Sequence, residues 1–153
     1  MEAKRKGIII FTLVLICSYV LLLNQIDEYT ITKDEVRKGL QPLNIVLQDH
    51  FEIIHNDVSG MPDRIQVTKL RISNRDKQAI ISSIQTAKNR KLYKSTADVI
   101  NDTTYTKDEI SNKIFPEFYE RQVYRIVDNI PTRIILTLSP NSHDVTYQRV
   151  EDK

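Results

Sequence analysis

The chain has one cysteine, three glycines and no tryptophan among 153 residues. The cysteine, Cys17, lies near the start, so everything after it has neither a disulfide nor a thiolate metal site. Gly7, Gly39 and Gly60 stand far apart, which excludes a Gly-rich phosphate loop and any flexible or collagen-like tract. An excess of charge is missing too. The first 23 residues hold three basic and one acidic side chain, which leaves residues 24–153 with 19 of each sign. A neutral body lacks the basic face that releases counterions from a polyanion, so nucleic acid is not expected as a partner. A disulfide-free exported domain suits a bacterial envelope better than a small animal secreted module.

What the first residues do contain is an apolar block. Lys4, Arg5 and Lys6 precede Gly7 to Leu23, which carry no charge. A helix over these 17 residues spans roughly 25 Å, near the short limit for a bilayer core. Ile26 and snorkelling by Lys4 to Lys6 extend its reach. The expectation is a transmembrane signal anchor over 7–23, with residues 1–6 as a cytoplasmic basic tip and the body extracytoplasmic. A cleaved signal peptide needs small residues before its cleavage site, and Val20 to Tyr29 offers no such pair. A lipidated Cys17 needs a small residue before it, where Ile16 stands, and the apolar run continues six residues beyond it.

Residues 24–43 read as a juxtamembrane spacer with a short helix. Thr32-Lys-Asp-Glu35 is a capping box, with Ile31 and Val36 as its hydrophobic staple, and Gly39 and Pro42 close the helix. The helix is expected to stand the domain off the bilayer. The same signature at Thr106-Lys-Asp-Glu109 predicts a second helix ending before Pro116. A third helix starts at Ser73-Asn-Arg-Asp76. Its stripe is Ala79, Ile80, Ile84 and Ala87, with Ile81 beside it, and Lys88, Arg90 and Lys91 favour its C-terminus. Lys91 to Thr96 suggests a short strand.

Residues 44–153 are expected to form one α+β domain, an antiparallel sheet packed by two or three short helices. Phe51 to His55 reads as a strand and Asn56 to Asp63 as a loop. Ile65 and Val67 have one parity and Leu70 and Ile72 the other, which predicts a bulge near Thr68 and Lys69. Gln122–Val127, Arg133–Leu138 and Val145–Val150 form a C-terminal meander with Ile134, Leu136 and Leu138 on one face.

No residue earns a catalytic, cofactor-binding or metal-ligating role. His50 and His55, with Asp49 and Asp57 nearby, have an odd spacing that sends the rings to opposite faces of an extended chain. His143-Asp144 lies in a turn with no serine or cysteine elbow to complete a triad. Glu117, Glu120 and Asp128 are carboxylates of a common surface kind. Lys88-Asn-Arg-Lys-Leu-Tyr-Lys94 could touch lipid headgroups, but reads first as a helix end and a solvated face. Asn101-Asp-Thr103 is a glycosylation sequon. Seven tyrosines fit strand pairs better than a sugar platform. The expected function is a membrane-anchored extracytoplasmic binding module that contacts the bilayer through 7–23 and another membrane or envelope protein through its body. An anchored hydrolase built on Glu117 or Glu120, His143 and Asp144 stays open. So does a structural subunit that assembles through its transmembrane helix, where Cys17 and Ser18 give a faint small-residue face.

Overall fold

The computed structural model describes residues 12, 15, 18, 30–60, 62–99 and 106–152. Thr12, Leu15 and Ser18 are helical, and the rest of the apolar block, Cys17 included, lies outside the described residues. So does the sequon at 101–103. Among the described residues no helix is long and apolar enough to cross a membrane.

Thr32–Lys153 is one compact unit. It opens with α1 (Lys33–Leu40) and a 3-10 turn (Gln41–Leu43), followed by β1 (Glu52–Ser59), β2 (Arg64–Arg71) and α2 (Asn74–Gln85). Then come β3 (Arg90–Leu92), a 3-10 turn (Thr96–Val99), β4 (Ile110–Ile114), β5 (Tyr119–Val127), β6 (Ile130–Leu138) and β7 (Asp144–Glu151). The strands form a single sheet in the order β1-β2-β7-β6-β5-β4-β3. Every neighbouring pair is antiparallel except β3 and β4, so the sheet is mixed. The class is α+β.

The predicted meander is present. Ile134, Leu136 and Leu138 are all buried on the face that α1, α2 and the first 3-10 turn cover. Asp128 and Asn129, with φ of 52° and 66°, form a two-residue turn of the primed kind that matches strand twist, and Pro131 falls inside β6.

The capping box that starts α1 closes as expected. Thr32 N–H donates to Glu35 Oε2 at 2.7 Å and Glu35 N–H donates to Thr32 Oγ1 at 3.3 Å. The bond from Thr32 N–H foremost, and a second from the Thr32 hydroxyl to the same carboxylate at 2.7 Å, hold the Glu35 carboxyl below the usual range. Gly39 does not stop the helix. It sits inside α1 because Tyr147 of β7 lies against it: an added Cβ would stand 2.8 Å from Tyr147 Cζ and closer still to the hydroxyl. Val36 and Leu40 are fully buried beside it, so α1 packs into the domain. Gly39→Ala is expected to destabilise the fold by about 1 kcal/mol, because overpacking against a buried ring outweighs the helix preference of alanine. A raised urea midpoint would mean that Tyr147 has room to step aside.

Four further expectations are corrected. Residues 106–115 do not form a helix. Asp108 takes φ 60°, its N–H donates to Tyr124 O at 2.7 Å, and Ile110–Ile114 pairs with β5. Ile, Ser and Asn are weak helix formers, and so short a helix cannot stand alone, whereas the ladder satisfies its backbone groups. The 56–63 loop shrinks to Gly60–Asp63, because Asn56–Ser59 continues β1 opposite Thr68–Ile65. Gly60, at φ 103°, makes that tight turn. The bulge lies in β1, between Ile53 and His55, not in β2. Thr68 and Leu70 of β2, and Ile72 just beyond it, are buried, while Ile65 and Val67 are half-buried on the opposite parity, so both faces accept apolar side chains without a bend. Lastly, α2 ends at Gln85. Ala79 is exposed and Lys77 takes a buried place, its Nζ donating to Pro140 O at 2.6 Å and Ser142 O at 3.1 Å.

Candidate functional site

The charged residues singled out in the sequence do not converge. His50 is exposed, with Nε2 3.2 Å from Lys33 Nζ, and His55 is exposed on β1 opposite Lys69. Asp49 accepts from Ser73 Oγ at 2.6 Å, while Asp57 faces Val67. Among the described residues no three His, Cys, Asp or Glu side chains gather as metal ligands would. Asp144 is held by Lys69 and Arg71, each at 3.2 Å, and hydrogen bonding from Lys69 leads in lowering its pKa. Glu120 is tied elsewhere, to Lys113 at 3.0 Å. His143, Glu117 and Asp128 are exposed in separate turns. The carboxylates of the hydrolase reading are thus each spoken for by a different cation or turned to solvent.

A concave site does exist at the β3 end of the sheet. It is a cleft of about 160 Å³ lined by Asn89, Lys91, Thr106, Glu109, Ile110, Ser111, Gln122, Val123 and Tyr124. Pairing in register builds its walls: Ile110 opposes Val123, and Ser111 opposes Gln122. Asp108 N–H bonded to Tyr124 O fixes the rim on the β5 side. Ligand pockets usually enclose roughly 300–1,000 Å³, so this cleft is smaller than most and is sized for a side chain.

A polar chain, buried at Arg121 and Asn112 and reaching the surface at Asn89, backs the cleft. The Arg121 Nε–H donates to Asn112 Oδ1 at 2.7 Å, and Asn112 Nδ2 donates to Asn89 Oδ1 at 2.9 Å. Asn89 Nδ2 in turn donates to Ile110 O. Arg121 is 7% exposed, and its Nη1 also donates to Leu43 O at 3.4 Å. Both acceptors are neutral, and burial lowers the pKa of the guanidinium. The chain ties the first 3-10 turn to the cleft wall and fixes the orientation of Asn89.

The outer rim is β3. Arg90, Lys91 and Leu92 are exposed, and Leu92 is 75% exposed. Behind them Tyr93 stacks on Phe115 at 5.1 Å and Phe115 on Phe118 at 4.2 Å, which pins the strand end. Lys88 to Lys94 therefore forms an edge strand and its flanks instead of a helix terminus. Of the lining residues, the sequence marks Asn89 and Lys91 within the basic stretch Lys88 to Lys94, and Thr106 and Glu109 only as a helix start. Comparison with protein-family models, curated proteins and solved structures finds no match.

Proposed function

We propose that this chain is a membrane-anchored interaction module. Residues 7–23 hold it in the bilayer, and its extracytoplasmic body engages a segment of another membrane or envelope protein. The observation that supports the reading is the β3 rim. A wholly exposed, three-residue edge strand carries two cations and an apolar side chain, beside a cleft sized for one side chain. An extended segment with an acidic residue complements Arg90 and Lys91, and an apolar residue beside it covers Leu92.

The test places a photoreactive amino acid at Thr106, on the cleft rim, in the full chain in its native membrane. A second sample carries it at Gln78, on the exposed side of α2. Crosslinking to a membrane protein is expected from 106 and not from 78. Lys91→Glu with Leu92→Asp is expected to cut the yield about tenfold, since it reverses a charge and removes an apolar contact. Equal yields from both positions would remove the cleft from the reading. Turnover of a substrate that one side-chain change abolishes without unfolding would replace it with the anchored hydrolase. Protease added outside should digest the body and leave the first residues protected.

A further inference from the structure

The opposite edge of the sheet belongs to β1, and it differs from β3 in kind. It is eight residues long and has no proline or lysine, two residues that commonly blunt an edge, and its bulge lies near one end, between Ile53 and His55. Among the described residues no strand pairs with its outer side. Its pattern is self-complementary. We propose that β1 pairs antiparallel with β1 of a second copy, about a twofold axis through Asn56.

The register follows from the residues. A twofold axis normal to the sheet keeps both faces aligned, so only residues of equal parity can stand opposite one another. Centred on Asn56, the pairing sets His55 against Asp57 of the second copy, and Asp57 against its His55. It also brings Ile54, 41% exposed, opposite half-buried Val58. Centring on His55 would oppose two histidines, and centring on Asp57 would oppose two carboxylates. Only the Asn56 register sets an imidazole against each carboxylate and covers the exposed isoleucine. Lys69, the β2 neighbour of His55, is already tied to Asp144 and does not compete for Asp57. The bulge between Ile53 and His55, which leaves Ile54 without a β2 partner, limits the regular ladder to about three residues per copy, His55 to Asp57, with Ile54 and Val58 flanking it. Such an interface is smaller than the roughly 1,200 Å² of a standard one, so the dimer is weak and reversible. Tethering both copies in one bilayer raises their effective concentration, a point that rests on the anchor reading.

Sedimentation velocity of the full chain in detergent micelles, across a concentration series, tests the pairing. A reversible dimer is expected. His55→Asp and Asp57→Lys should each weaken it about tenfold, through two like-charged or unmatched pairs. The double variant should restore it, because Asp at 55 then faces Lys at 57 of the second copy. A monomer at every concentration overturns the proposal. A dimer indifferent to both single changes also overturns it and assigns association to residues 7–23. Amide exchange of the wild type decides independently of the variants: His55–Val58 must gain protection as the dimer forms, and unchanged protection overturns the pairing.

Discussion

Phe51→Ala is expected to lower the unfolding free energy by about 4 kcal/mol, from the lost transfer energy of a buried ring and the cavity left behind. Phe51 is 1% exposed and is the bulkiest of the fully buried side chains. It lies just ahead of β1, where the chain leaves the covering layer for the sheet. Two cations of α1 sit over the ring, Lys33 Nζ at 5.8 Å and Arg37 Cζ at 5.3 Å from its centroid. Truncation removes the floor under both, and each such contact contributes about 0.5–1 kcal/mol at an exposed site. Urea unfolding of the full chain, followed by tyrosine fluorescence, measures the effect. Phe51→Leu fills most of the space and should cost less than half as much. If Phe51→Ala cost under about 1 kcal/mol, α1 would have another anchor.

How much of this was legible in the sequence varied with how local the cause was. The capping box at Thr32 needs only residues three apart, and it forms. The same letters at Thr106 do not make a helix, because a β5 partner is available to Ile110–Ile114 and no helical neighbour follows. The meander was readable because Ile134, Leu136 and Leu138 alternate with polar residues over one continuous stretch. The parity change in β2 was read correctly as a fact and wrongly as a bend. It records that Ile65 and Val67 face one side while Leu70 faces the other. Gly39 is a case where the letter was noticed and its cause was not, since the reason is a ring 108 positions downstream in β7.

The candidate site was far less legible. Its walls come from the α2–β3 turn, β3, the approach to β4 and β5. Asn89, Ser111 and Gln122 carry no signature as single letters, and their meeting depends on the parallel β3–β4 pair, whose connection is long. Lys88 to Lys94 gave the one usable signal. Its second half reads as a short strand from Lys91, but its first half reads as a helix end because the apolar stripe of α2 continues in the letters to Ala87, whereas the helix closes at Gln85 with Thr86 as its cap.

Asp76→Ala is expected to cost about 3 kcal/mol, for a reason the letters only half disclose. Asp76 reads as the N3 position of a capped helix, and Ser73 Oγ does accept its N–H at 3.0 Å. The carboxylate, however, turns away from α2 and binds the segment that leads from α1 to β1. Its two oxygens accept the N–H groups of Gln48 and Asp49, each at 3.0 Å. Ser73 Oγ–H then donates to Asp49 Oδ2 at 2.6 Å, which closes a ring across the two segments. Hydrogen bonds to a charged acceptor contribute roughly 1.5–3 kcal/mol each, and because Gln48 is exposed and Asp49 half-buried, water recovers part of that for the two donors. Because Asp76 is 2% exposed, alanine also leaves a small void. Asp76→Asn keeps one acceptor oxygen and should lose about half as much. Amide exchange would localise the effect, with Gln48 and Asp49 losing protection before the β5–β7 ladder does. Uniform loss across the sheet would mean instead that this ring is part of the global fold and not a clasp on its covering layer.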